Sequence, residues 1–550
     1  MPHINIFALG GLDENGKNCY VLRSDDDIFV INSGAKVPIS SYNGVDTLIP
    51  DFNYLINNKD KIKGIFVTDV KNDSFSALPW LIMQIPGITI YTSPFNKIMI
   101  ASRLQKYQIE PNSFKIETIT KKITIGQTQI QPILVAGSLP GSLGFDFIVD
   151  SKTSVVFMFN YVKGDLGIYG NTDYSLIKNS LEDRDLLALV SDAGHANYSG
   201  YAIDRIQLPP SVKEAFLNTA ADKRIIVGAY DEEMVAIHQI LELARITNRP
   251  VVAYGKTYAQ LIYLIQKIKT NLPLPQIFKH KNLNQHPNAV ILVTGSVERL
   301  YSRFLRITDN KDVLLKLKNT DTVLMIAPPI NGLESLAALT LDDIARIAPN
   351  IIEVTNSEYY SHRPAREDIL DLLRVLKPKY FLPVQGLYRY LVDISNNANE
   401  QKSLNKTTPI ILQNGKIAHF IDNKLASTNG KIKEIGDVIV DGFGIGDISS
   451  EVIYERETLG REGLVTLSFL FNPKTKEISQ DFKIHFVGIA PASVCSELKA
   501  VIHETITQVL ENEEFAGLKD LQERLRRVVR KKIFKAQDKE PMVVITFNTI

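Results

Sequence analysis

Residues 61–79 read KIKGIFVTDVKNDSFSALP. Within them Gly64-Ile65-Phe66-Val67-Thr68 is an apolar run of strand length, and Ala77-Leu78-Pro79-Trp80-Leu81-Ile82 behind it predicts a helix. The order strand, loop, helix places Asp69, Lys71, Asp73 and Ser74 on the loop at the carboxyl end of a buried strand. Side chains on such a loop can converge on one point, and zinc is held there when imidazoles and carboxylates supply the donors. This loop carries carboxylates, an ammonium group and a hydroxyl, but no imidazole.

The chain has 550 residues, 45% of them hydrophobic, enough for several cores and, on length, about three domains. Its 62 Lys and Arg residues against 61 Asp and Glu leave a formal net charge of +1. Contact with nucleic acid must then come from local patches rather than a uniform field. Cys19 and Cys495, the only cysteines, lie far apart in apolar contexts, which predicts buried free thiols, a reducing compartment and no disulfide framework. No basic segment leading into an apolar one opens the sequence, and no run of about eighteen apolar residues occurs. The expected setting is the cytoplasm, without a membrane partner.

To about residue 160, short apolar strands between Gly, Asn and Asp turns dominate, among them Asn18–Arg23, Asp27–Ile31, Ile88–Tyr91 and Ser154–Phe159. From about 204, helix and strand alternate: Ser211–Ala220 helical, Arg224–Val227 extended, Glu232–Arg245 helical, Pro250–Tyr254 extended. That rhythm predicts a mainly parallel sheet covered by helices. Such sheets bind ligands at strand C-termini, here at Thr294-Gly295-Ser296 and Ala327-Pro328-Pro329. A helix over Arg366–Leu376 and a strand at Tyr380–Val384 lead into short strands that end in the linker-like Asp441-Gly442-Phe443-Gly444-Ile445-Gly446-Asp447. The remainder predicts a separate α/β unit: strands near Gly463–Phe471 and Phe482–Gly488, helices at about 493–511 and 516–534, and a closing strand Met542–Phe547.

Ala8-Leu9-Gly10-Gly11-Leu12-Asp13-Glu14-Asn15-Gly16-Lys17-Asn18 closely resembles the start of ribonuclease J proteins. Leu48–Leu55 (LIPDFNYL) and Lys377–Val384 (KPKYFLPV) are similar to the same family, as are Ser191-Asp192, Thr294-Gly295-Ser296 and Glu540-Pro541-Met542. The motifs fall in the family's order and span almost the whole chain. The resemblance implies an α/β protein built as a metallo-β-lactamase αββα sandwich over 1–203 and 355–445, interrupted by a β-CASP α/β domain over 204–354. A linker at 446–454 and a small α/β C-terminal domain at 455–550, which supports dimerisation, would follow. It also implies zinc-dependent hydrolysis of RNA by a metal-activated water, both endonucleolytic and 5′-to-3′ exonucleolytic.

The family's site residues do not carry over. In the family the loop at 69–74 reads His-x-His-x-Asp-His, and here those places hold Asp69, Lys71, Asp73 and Ser74, so Asp73 alone is kept. The aspartate that ends the strand Phe29–Ile31 falls on Asn32, the single histidine of the next motif on Gly137, the bridging aspartate on Asn160 and the last histidine on Gln385. Glycine offers no donor, serine and amides are weak zinc ligands, and a lysine cation 4 Å from a divalent ion costs about 8 kcal/mol at an effective dielectric near 20. No His-x-His or close histidine pair supplies a substitute among the nine histidines. The expectation is no catalytic residue of family type and no zinc site. Asp69 and Asp73 leave, at most, a loose Mg²⁺ held through waters.

A family stretch His-x-Ser-Gly-His, which contacts RNA phosphate at the domain junction, falls on Tyr359-Tyr360-Ser361-His362-Arg363. Ser361 is kept, Arg363 brings a fork of permanent donors suited to phosphate, and Tyr359 offers a ring for a base. Near the C-terminus, Leu518, Leu521, Leu525, Val528, Val529 and Ile533 recur at helical spacing. They would pack and leave Arg524, Arg526, Arg527, Arg530, Lys531, Lys532 and Lys535 for RNA, for an acidic partner, or simply for solvent. Together these readings predict a degenerate ribonuclease J paralogue: a non-catalytic subunit or RNA-binding partner of an active ribonuclease J, as a homodimer or hetero-oligomer. The alternatives are a ribonuclease with a rebuilt metal site and an interaction scaffold with no RNA contact.

Overall fold

The apolar run quoted first becomes the strand Ile62–Phe66, with Phe66 fully buried, and the helix behind it spans Leu78–Gln84. This strand runs parallel to Asp27–Ile31 on one side and Ile88–Thr92 on the other. All three belong to an eight-stranded sheet in the order 424–431, 416–421, 4–10, 19–24, 27–31, 62–66, 88–92, 114–118. A seven-stranded sheet lies against it, in the order 408–409, 380–384, 185–192, 153–158, 143–150, 128–134, 123–125. The computed structural model describes residues 3–36, 47–254, 272–330, 332–348, 350–359, 362–441, 444–445, 450–475, 477–479, 481–512 and 515–549.

Strands buried on both faces read as continuous apolar runs, and Thr153–Met158 is buried at every position. The two sheets meet through aromatic rings. The Phe147 centroid lies 5.4 Å from Phe29, 5.1 Å from Phe66 and 5.6 Å from Phe157, separations at which ring pairs add to simple area burial. The helix Pro94–Lys106 packs on Phe114–Thr118 of one sheet and Tyr388–Glu400 on Tyr380–Val384 of the other, which makes an αββα sandwich.

Residues on both sides of a long excursion build this sandwich. Tyr380–Val384 runs parallel to Asp185–Asp192, and Lys416–Ile421 pairs antiparallel with Ile4–Gly10. Between them stands a six-stranded, all-parallel sheet in the order 277–279, 251–254, 290–295, 225–230, 322–325, 350–353. Its central strand Val290–Gly295 is buried throughout, and a buried Arg224–Asp321 pair (Nε to Oδ1 2.8 Å) ties the starts of two neighbours. The chain leaves and returns at one place. His195 bridges Ala365, Arg366 N–H donates to Tyr198 O at 3.0 Å, and Ala202 N–H donates to Asp368 Oδ2 at 2.8 Å.

A second compact unit takes in residues from Ile439 onward. Its helix Ser450–Glu462 begins inside 446–454, the stretch read as a linker; of the Gly-rich run, residues 442–443 and 446–447 lie outside the described residues. Three strands, 483–487, 464–471 and 542–549, carry the helices Ala492–Asn512 and Leu518–Gln537 on one face. Leu521, Leu525, Val529 and Ile533 are fully buried in that core, with Leu498, Ile502 and Val509 from the other helix also turned inward. Cys19 is buried as expected, and burial pushes its thiol up to about 12, whereas Cys495 is only half-buried. No described helix is long and apolar enough to cross a membrane.

Phe147→Ala is expected to lower stability by about 3–5 kcal/mol, the cost of emptying a large aromatic site. Urea denaturation followed through Trp80, the single tryptophan, buried in the same sandwich, measures it. A loss below about 1 kcal/mol would mean that the inter-sheet ring cluster is not the core it looks to be.

Candidate functional site

Strand ends of the sandwich converge on one spot. Asn32 follows 27–31, Asp69 to Ser74 follow 62–66, Asn160 follows 153–158, Asp192 ends 185–192, and Gln385 follows 380–384. The positions singled out in the sequence are therefore brought together. Asn32 donates from Nδ2 to Thr68 Oγ1 at 2.9 Å and accepts Thr68 N–H on Oδ1 at 2.9 Å. Asp69 accepts Lys71 N–H on Oδ1 at 3.0 Å, and on Oδ2 both Thr68 Oγ1 at 2.9 Å and Asn160 Nδ2 at 3.1 Å. Asn160 Nδ2 also donates to Ser74 Oγ at 3.2 Å. A Cβ added at Gly137 would come within 2.9 Å of Asn160 O and of Ser142 Oγ, so the backbone here leaves no room for a histidine.

Arg363 occupies the middle. Its Nε donates to Asp192 Oδ2 at 2.9 Å and its Nη2 to Gln385 O at 2.8 Å and Gln385 Oε1 at 3.1 Å, with the side chain 14% exposed. Asp192 is completed by Gly194 N–H at 2.8 Å. A Cβ at Gly194 would fall 2.6 Å from the guanidinium carbon, so the glycine makes the space that the arginine fills. Burial works against this charge, yet Asp192 and Asp73 outweigh it and hold Arg363 protonated above its ordinary value.

A second cation bridges to the inserted sheet. Lys71 Nζ donates to Glu233 Oε1 at 3.1 Å, and the other oxygen of Glu233 bonds the Nδ1 of His362, which is fully buried. Burial alone raises Glu233, but Lys71 and His362 prevail and hold its carboxyl down to about 2. Burial likewise opposes Lys71, and Glu233, Glu232 and Asp73 reverse that and raise it. Glu232 accepts Asn72 N–H at 2.7 Å, and burial with Asp231 and Asp73 nearby pushes it well up. These groups open on a cavity of about 190 Å³ whose wall also includes Tyr230, Pro328 and Tyr359.

This donor set does not fit zinc. Asp69 is engaged by Thr68, Lys71 N–H and Asn160, and Asp192 by Arg363; Asp73 accepts only Ser74 Oγ at 3.4 Å, while Lys71 and Arg363 place two cations at the site. Among the described residues no three His, Cys, Asp or Glu side chains are grouped to hold a metal ion.

Three RNA-contact expectations need correction, the first being His362, which is fully buried against Glu233 and reaches no RNA. Tyr359 is 1% exposed, with its hydroxyl 3.4 Å from His362 Nδ1, and presents no face for a base. Arg363 is spent on Asp192 and Gln385 rather than open to phosphate. Tyr360 and Ser361 lie outside the described residues. Arg526 and Arg530 are exposed, as their helical spacing predicts. Glu233 and Gly194 were not foreseen. A buried lysine needs a counter-ion, and the run Asp231-Glu232-Glu233 after a predicted strand was the available signal.

Glu233→Gln leaves Lys71 and His362 without an anion and is expected to cost about 3–5 kcal/mol at neutral pH. Because folding lowers the Glu233 pKa from 4.5 to about 2, its contribution is complete above pH 4.5 and is lost as pH falls towards 2. Urea titrations across that window should show the gap between variant and wild type closing. A gap independent of pH would remove the ionic account.

Residues 222–344 match the ribonuclease J β-CASP domain family, and residues 451–550 match the ribonuclease J C-terminal domain family. The chain is 28% identical to an uncharacterized protein of Mycoplasma genitalium over 100% of both chains, and 24% identical to ribonuclease J2 of Bacillus subtilis over 98% of each. Among solved structures, a protein of unknown function from Enterococcus faecalis shares the fold, with a TM-score of 0.50 at 12% identity, covering 76% of this chain and 100% of that one. With both domain matches in place and similarity to a ribonuclease J2 from end to end, the chain belongs to the ribonuclease J family.

Proposed function

We propose that this chain is a non-catalytic ribonuclease J-like protein of RNA processing or decay, which binds RNA and works with an active ribonuclease J in the cytoplasm. The observation that carries the reading is the Arg363 guanidinium bound to Asp192 and Gln385 where strand ends converge. A hydrolase of this family activates water on a metal there, and this chain supplies an organic cation instead. A rebuilt metal site on Asp69 and Asp73 is disfavoured, because Asp69 already accepts three hydrogen bonds. In this reading His362 and Arg363 are positioning residues at the domain junction. Arg526 and Arg530, with Arg527, Lys531 and Lys535 beside them in the exposed face of the last helix, meet RNA backbone. Assembly with itself or with an active paralogue, through the C-terminal unit, belongs to the same proposal.

Purified protein is expected to carry substoichiometric zinc by elemental analysis and to leave 5′-labelled single-stranded RNA intact in zinc, manganese or magnesium. Stoichiometric metal together with cleavage, both lost in Asp73→Ala, would overturn the reading. Light scattering of the chain alone and mixed with an active ribonuclease J tests the assembly, which fails if the masses are those of monomers.

A further inference from the structure

The strand-end loop Thr294-Gly295-Ser296, singled out in the sequence, opens on a second groove. It lies at the carboxyl ends of the strands 277–279, 251–254 and 290–295, and its volume is about 870 Å³. All-parallel sheets bind ligands at this edge, where helix N-termini point outward. The helix Val297–Thr308 starts here behind Ser296, whose side chain makes no capping bond, so the first-turn N–H groups are not used by it.

Four basic side chains line the groove, Lys279, Arg299, Arg303 and Arg306, against two acids, Asp231 and Asp312. Arg299, Arg303 and Arg306 recur at steps of four and three residues, one face of the helix. Arg303 is pinned from below, donating from Nη1 to Tyr254 O at 2.9 Å and Thr294 O at 2.7 Å. Arg299 and Arg306 are exposed and form no hydrogen-bonded ion pair among the described residues. Asp312 is turned to other work, accepting Tyr254 Oη at 2.5 Å and the Leu314 and Leu315 N–H groups at 3.0 and 2.9 Å. Rings of Tyr254, Phe278 and His280 stand in the same wall.

We propose that this groove binds a nucleotide, its phosphate held between the Arg299 and Arg306 guanidinium groups along one face of the helix and its base set against the Tyr254–Phe278 wall. Paired guanidinium groups match phosphate oxygens, and rings accept any base by stacking. The source is either a free nucleotide or one residue of an RNA strand; for the strand, the inference deepens the function proposed above and rests on it. The groove also accounts for RNA contact where Arg363 and Tyr359 are closed to it.

The test uses the full chain with two probes at low salt: 5′-AMP by calorimetry, and a fluorescent single-stranded RNA of about ten nucleotides by anisotropy. Arg299→Ala with Arg306→Ala is expected to weaken either probe that binds by about tenfold or more, and the double glutamate variant to weaken it further. For RNA the slope of log K against log salt should become shallower by about 1.4, twice the 0.7 per contact of a single strand. Loss with AMP identifies a free-nucleotide site, and loss with RNA alone identifies the strand; both support the proposal. Binding of AMP without any RNA binding keeps the groove and overturns the RNA-partner function. Unchanged affinity in the double variants, with RNA binding lost instead in Arg526→Ala with Arg530→Ala, overturns the groove and keeps that function. No binding of either probe by the wild type overturns both.

Discussion

One ion pair, Arg363 with Asp192, sets the character of the molecule's centre. Its partners come from a sandwich strand end on one side and from the segment returning from the inserted sheet on the other. A guanidinium held this way satisfies a buried carboxylate without a metal, and it demands glycine at 194 for clearance. The second cation, Lys71, repeats the solution one loop away, with Glu233 and His362 as its counterpart. Removing any one member leaves an uncompensated charge in a place with little water to receive it.

The backbone of the site carries three unusual torsions. Asn32, Asn160 and Gln385 stand at φ of 66°, 49° and 61°, the left-handed region. Asparagine visits that region at low cost, whereas glutamine carries a penalty of about 1–2 kcal/mol. These are three of the positions that the sequence resemblance matches to family donors. Strained loops of this kind persist when the surrounding packing over-determines them, and here two stacked sheets do so. The sandwich thus holds these torsions in place around the contacts of Asp69, Asp192 and Arg363.

What the sequence revealed follows the range of the forces involved. The strand Ile62–Phe66, the helix Arg366–Leu376 and the strand Tyr380–Val384 were legible because local apolar periodicity encodes them. Family motifs then ordered the pieces. Arg363 was misread because its partner lies 171 residues away, and a lone arginine in a polar stretch looks solvent-facing. Tyr359 was misread for a similar reason: its neighbours in sequence are polar, but its neighbours in space are His362 and the cavity wall. The helix expected from Glu232 begins only at Met234, since residues 231–233 turn aside to meet the loop at Lys71 and Asn72.

The pairing of Ile4 with Phe420 has a consequence for synthesis on the ribosome. The first strand of the chain meets one of its two neighbours only after more than 400 further residues have been made. At about 5–20 residues per second, that edge waits for roughly 20–80 seconds. The six-stranded sheet over 225–353, by contrast, draws all its strands from one continuous stretch and is made roughly 3–13 seconds before Lys416–Ile421. The inserted sheet and the His195–Ala365 bridge therefore have all their residues in hand before Lys416–Ile421 and Lys424–Lys431 arrive to complete the sandwich's first sheet.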